Sequence, residues 1–290
     1  MKRLFLFITL TLLLLFQSCN GIKSKSIILP WHLVDIWYKI EKPQSFESLS
    51  IDFEILQDIP SNCELYIAPL GLGKLNDISF YGGVQTNTGG YEDKNHVLNN
   101  SPKFSIGRSV IFSRWKETNP DAIIIAKGGV CEVGDYEGDF ISVRNNYQWN
   151  KGKYKITLFN THKKETINKK PHTFVGMKIV SYVDNTNQVA GYLAFPGDEI
   201  KLGESLAIFV ELYGNPISIT QVPKCKIQCS NITINEIVQT PKTISAYYPK
   251  KFPQMARTTW DQEKVIIEIG ESFNRDNYNE TEKNYYNKIK

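Results

Sequence analysis

Tyr154-Lys-Ile-Thr-Leu-Phe159 is the stretch that decides the fold. Ile156 and Leu158 alternate with Lys155 and Thr157, and a period of two marks a strand covered on one face. The same habit recurs in Leu49-Ser-Ile-Asp-Phe-Glu-Ile-Leu56, Arg108–Trp115, Thr173–Tyr182, Leu206–Tyr213 and at Ile227, Ile232 and Ile234. Turn formers separate these runs: Asn87-Thr-Gly-Gly90, Asn150-Lys-Gly152, Asp184-Asn-Thr-Asn187, Pro196-Gly-Asp198 and Gly214-Asn-Pro216. Many short strands at close spacing predict an all-β fold, an antiparallel two-sheet sandwich of jelly-roll or lectin-like form, over residues 31–216. Residues 217–270 add further strands of that sandwich or a small appended β unit. Helical pattern is confined to Val34–Lys42 and to a polar tail, 271–290, which is expected to fray or form a surface helix. No fixed-period repeat is evident, which excludes a propeller or solenoid.

Composition agrees with a packed domain. The hydrophobic fraction is 41% and the aromatic fraction 12%, enough for a real core and far from a disordered chain. The net charge of +4 includes Lys2 and Arg3, and no long basic block appears, so nucleic acid is not an expected partner. Lys163-Lys164 and Lys169-Lys170 flank a loop and read as a solvated tip.

The N-terminus carries the compartment. Lys2 and Arg3 precede an apolar run from Leu4 to Phe16, and Ser18 stands directly before Cys19. The run is shorter than the roughly 20 residues of a spanning helix. The arrangement over residues 1–19 resembles a bacterial lipoprotein signal, which implies that Cys19 becomes the new N-terminus and carries a palmitate-type lipid. Residues 20–30 then form a polar tether, and the membrane is a partner through the lipid. The expected location is the bacterial cell envelope, on the periplasmic face or the cell surface. Asn20-Gly-Ile-Lys23 lacks an acidic cluster, which favours the periplasmic side.

Four further cysteines remain: Cys63, Cys131, Cys225 and Cys229. An oxidising compartment permits two disulfides among them, with free buried thiols as the alternative. On a strand, Cys225 and Cys229 share a face yet stand about 13 Å apart, too far to bond directly. His32, His96, His162 and His172 are scattered, so zinc is a poor reading.

The richest chemistry lies between Phe80 and Trp149. Tyr81-Gly-Gly-Val-Gln-Thr-Asn87 is followed by Ile111-Phe-Ser-Arg-Trp115, then Gly128-Gly-Val-Cys-Glu-Val-Gly-Asp-Tyr-Glu-Gly-Asp-Phe140, then Val143–Tyr154. In order and spacing these segments resemble a largely bacterial, secreted family, domain of unknown function family 3472, over about residues 78–214. Cys131 and Val133 interrupt the Gly/Glu run that the family carries there. The resemblance implies a β-sandwich outside the cytoplasm and supplies no catalytic residues.

Read from the residues, Asp135, Glu137 and Asp139 alternate with Tyr136 and Gly138. In an extended strand they would share one face with neighbours about 6.5–7 Å apart. With Glu132 such a trio suits calcium, or acid–base work on a glycan; the plain alternative is a solvated acidic loop. Calcium is the one cofactor to consider. Arg144 is expected to pair with Glu137 or Asp139. Trp115 and Trp149 are expected in the core, and Tyr136 at the surface. Gln85, Asn87, Asn145 and Asn146 offer amides beside these aromatics, a mixture that suits a sugar's apolar face and polar edge. The candidate ligand-binding set is Gln85, Asn87, Glu132, Asp135, Tyr136, Glu137, Asp139 and Arg144. The leading expectation is a non-catalytic carbohydrate-binding sandwich, with a glycan-cleaving enzyme or a structural envelope partner as alternatives. Ser113 has neither a Gly-x-Ser-x-Gly context nor a nearby His, which argues against a serine nucleophile.

Overall fold

The computed structural model describes residues 26–40, 45–261, 264–273 and 281–284. Most of them lie in strands, arranged in two antiparallel sheets. The first sheet starts at one edge with β18 (Thr281–Asn284), β15 (Thr243–Tyr247), β1 (Trp31–Lys39) and β12 (Ser205–Leu212). It continues through β3 (Leu65–Leu75), β4 (Ile78–Gly90), β5 (Phe104–Trp115), β8 (Phe140–Asn146) and β7 (Gly129–Gly134). The second sheet runs β16 (Ala256–Asp261), β17 (Lys264–Ile269), β13 (Cys225–Ile234) and β2 (Ser48–Ile55). Its other half is β9 (Gly152–Ile167), β10 (Lys170–Ser181), β11 (Asn187–Pro196) and β6 (Ile123–Ile125), with β14 (Ile237–Val238) paired to β13. The two-sheet sandwich is the architecture the alternation predicts.

The core fills the space between the sheets. On β9, Tyr154, Ile156 and Leu158 are buried; on β5, Val110 and Phe112; on β11, Leu193 and Phe195. Phe112 of the first sheet stacks on Phe195 of the second with centroids 6.2 Å apart. Trp149 is fully buried, and its indole donates to the Gln85 carbonyl at 3.1 Å.

Of the helix expected over Val34–Lys42, the described residues 34–40 are not helical. Val34, Ile36, Tyr38 and Ile40 are buried while Trp37 and Lys39 are exposed, a period of two that forms β1. Strands from 217–270 enter both sheets: β13 lies between β17 and β2, and β15 beside β1. In the polar tail, Thr281–Asn284 pairs with β15 as a strand, where fraying or a surface helix was expected. Cys19 and most of the leader and tether lie outside the described residues, and no described helix is long and apolar enough to cross a membrane. Cys63, Cys131, Cys225 and Cys229 are buried free thiols, and burial pushes the last three up to about 12.

Candidate functional site

The first sheet carries a second apolar cluster on its outer face, away from the core: Tyr66, Ala68, Tyr81, Ile111 and Phe209, with Trp115 and Tyr213 against them. Register places them there. His32 of β1 stands opposite Glu211 of β12, Glu211 opposite Tyr66 of β3, and Tyr66 opposite Gln85 of β4. A neighbouring row runs Tyr81, Ser113, Ser142 and Glu132 across β4, β5, β8 and β7. Side chains in one cross-strand row share a face, so residues far apart in sequence converge.

Irregularities shape that face into a hollow. Bulges interrupt β3 between Ile67 and Leu70 and again before Gly73, and such defects bend a strand. Gly83 is held close to β3, where a Cβ would come within 2.6 Å of the Ala68 Cα. The result is a cleft of about 620 Å³ floored by Tyr66, Tyr81, Ile111 and Phe209. Tyr66 meets Phe209 edge-on at 5.1 Å, and Tyr81 leans on Trp115 at 4.6 Å. Trp115, expected in the core, is thus part of the outer floor. A shallower hollow, bounded by Ser79, Lys116 and Asp139, shares Leu72 and Trp115 with the cleft and prolongs it. The N-terminal segment joins at the rim: Ile27 bridges to Ile217, and Leu29 and Pro30 line the opening.

One wall is an ion network. Arg144 is buried, and its guanidinium is paired with Glu132, bonded to the Gly89 carbonyl, and donates to Ser142 Oγ at 3.2 Å. Lys103 Nζ reaches the other Glu132 oxygen at 3.0 Å, and the Tyr136 hydroxyl donates to Glu132 at 3.4 Å. Burial pushes Glu132 up, but Arg144 and Lys103 outweigh it and hold the carboxyl below its ordinary value. Glu132 is therefore a fixed anion. Arg144 pairs with it rather than with Glu137 or Asp139, because β7–β8 register sets Glu132 opposite Ser142 and Arg144 opposite Val130, diagonal neighbours on one face, whereas 137 and 139 lie in the connecting turn.

That turn also corrects the acidic trio. The Gly138 amide donates to the Asp135 carbonyl at 3.0 Å, and Gly138 adopts φ +87°, a left-handed conformation natural to glycine. The chain reverses there, so Asp135, Glu137 and Asp139 share no strand face. Glu137 and Tyr136 line the cleft, Asp139 borders the adjoining hollow, and Asp135 lines neither. Among the described residues no group of three or more His, Cys, Asp or Glu is placed to hold a metal ion. Of the candidate set, Gln85, Asn87, Glu132, Tyr136, Glu137 and Arg144 converge on the cleft.

The opposite wall was not foreseen. His32 Nδ1 lies 2.6 Å from Asp35 Oδ1, and His32 Nε2 lies 3.7 Å from Glu211 Oε1. Burial opposes a charged His32, but Asp35, Glu211 and Glu137 outweigh it and raise its pKa. Burial pushes Glu211 up to about 7; His32 opposes the shift, and the charges of Glu137 and Asp35 add to it. The Tyr66 hydroxyl, between the walls, is buried and has no hydrogen-bond partner among the described residues. Phe209, Glu211 and Tyr213 alternate in sequence, so a carboxylate between two aromatics on one face was the available signal.

No family model matches the chain, and no curated protein matches it; the resemblance to domain of unknown function family 3472 rests on the quoted motifs alone. Among solved structures, a scytalido-glutamic peptidase with a transition state analog inhibitor overlaps at a TM-score of 0.41 and 4% identity, covering 84% of this chain and 100% of that one. The same peptidase with a peptide-based transition state analog gives 0.40 and 8%, over 82% and 99%. Likeness at this level says nothing of this chain's chemistry.

Proposed function

We propose that this chain is a lipid-anchored protein of the bacterial envelope, tethered through Cys19, whose cleft binds carbohydrate. The observation that carries the reading is the aromatic cluster on the outer face of the first sheet, where a sandwich built only for stability would place solvated side chains. Trp37 is 36% exposed and Tyr136 is 68% exposed, and both line the cleft, as do the amides of Gln85 and Asn87. Aromatic faces cover a pyranose's C–H surface while amides and carboxylates bond its hydroxyls.

A peptide fits less well. One recurring way to hold an extended peptide is to add it as a strand to a sheet edge. The floor here is a sheet face whose backbone groups are engaged in the β12–β3–β4–β5 ladders. Recognition falls to side chains, and the prolonged groove favours an oligosaccharide over a single sugar.

The test is affinity electrophoresis and a glycan array with the full-length protein in detergent. Retention by at least one polysaccharide is expected, weakened about tenfold or more by Trp37→Ala combined with Tyr136→Ala, since stacked aromatics dominate such contacts. No retention by any polysaccharide, or retention indifferent to both substitutions, overturns the reading. Labelling with a palmitate analogue tests the anchor; label that persists in Cys19→Ser removes it.

A further inference from the structure

The cleft carboxylates fall into two kinds. Glu132 has Arg144 and Lys103, and Asp35 has His32. Glu211 and Glu137 have no hydrogen-bond partner among the described residues, although both line the cleft. Glu211 sits on the floor of one wall with its side chain 14% exposed. Glu137 projects from the β7–β8 turn on the other. Between them the Tyr66 hydroxyl is a buried donor that none of the described residues satisfies, and such a group is retained at a cost unless a ligand oxygen completes it.

We infer that the cleft hydrolyses a glycosidic bond of the sugar chain it binds, with Glu211 as the general acid and Glu137 as the general base. The inference rests on the carbohydrate reading and adds a reaction to it. The Glu211 carboxyl gives its proton to the glycosidic oxygen as the bond from that oxygen to the anomeric carbon breaks, and the bonding pair stays on the oxygen. A water oxygen forms the new bond to the anomeric carbon, and its proton passes to the Glu137 carboxylate. The products are a hemiacetal and an alcohol, with no change of oxidation state. Afterwards Glu211 is ionised and Glu137 protonated, and exchange with solvent restores both.

The surroundings suit these roles. Glu211 is faced by His32 and Asp35 from β1, Tyr66 from β3 and Glu137 from the turn. Burial keeps its proton on to about pH 7, so it is loaded for donation in mildly acidic medium. Glu137 lies nearer solvent. Partial burial and the Glu132 charge raise it, while Arg144 and His32 hold it down. His32, held by Asp35, is a positioning residue whose positive charge receives the carboxylate left when Glu211 donates.

The experiment uses the full-length protein in detergent with end-labelled oligomers of β-linked glucose, xylose and N-acetylglucosamine. New reducing ends are expected near about pH 6, with heavy oxygen from labelled water at the anomeric position, and a rate that falls above about pH 7. Glu211→Gln and Glu137→Gln, which keep shape, are each expected to lower that rate about 100-fold or more while each variant still unfolds in urea as one cooperative transition. Retention without reducing ends from the unmodified protein overturns the reaction and leaves the binding reading standing. Undiminished cleavage by Glu211→Gln also overturns it, as does release of new amino termini from a peptide mixture without cleavage of any sugar. Absence of retention removes both readings together.

Discussion

The outer faces of the two sheets obey one alternation and carry opposite chemistry. On the second sheet, charges meet across neighbouring strands: Lys226 faces Glu268, Glu268 faces Arg257, and Asp52 faces Lys155. Lys226 Nζ lies 3.1 Å from Glu268, and Arg257 pairs with the same carboxylate. Opposite charges set directly across strands suit a face that meets only water. On the first sheet, the equivalent positions hold Tyr66, Tyr81, Ile111 and Phe209, and Glu211 is left among aromatics. A face kept for solubility neutralises its charges locally. A face kept for a ligand leaves apolar surface and polar groups uncompleted.

The sharpest way to break this contrast is a pair of arginine substitutions. Arg144→Ala leaves Glu132 in the cleft wall without its guanidinium, held by Lys103 and the Tyr136 hydroxyl, and a loss of about 3–5 kcal/mol is expected by urea unfolding. Arg257→Ala, on the solvated face, is expected to cost less than about 1 kcal/mol. Equal costs would mean that the two faces do not differ as described.

A smaller effect follows from Glu211. Its pKa is raised from 4.5 to about 7, so the native state holds the proton more tightly than the unfolded chain does. The unfolded chain binds fewer protons in that window, and stability falls as pH rises through it. Glu211→Gln should therefore match the parent near pH 4 and exceed it near pH 8 by about 2–3 kcal/mol in urea unfolding. A constant difference across that range would show that Glu211 carries no such penalty. Tyr66→Phe is the gentlest probe. It removes a hydroxyl without a partner, so thermal stability is expected unchanged or higher by up to about 1 kcal/mol, while glycan retention weakens several-fold. A destabilised variant would reveal a structural role for that hydroxyl.

The layers were legible because alternation is local: Tyr154–Phe159 announces its buried face without reference to any other strand. The network wall was partly legible for the same reason, since Glu132, Tyr136, Glu137 and Arg144 lie within one hairpin. The Arg144–Glu132 pair was not, because sequence proximity to Glu137 misled where strand register decides. The His32–Asp35–Glu211 wall was hidden further. Its strands, β1 and β12, are adjacent in the sheet but lie at opposite ends of the sandwich sequence, and Val34–Lys42 reads as helix unless the exposure of Trp37 and Lys39 is known.

Leu29 and Pro30 touch the mouth of the cleft. With lipid on Cys19 as proposed, the leash between anchor and mouth is about ten residues, and it can extend no further than about 35 Å. Such a short mooring restricts the protein to polymer strands that graze the bilayer. Material deeper in a surrounding matrix stays out of reach, however well it fits.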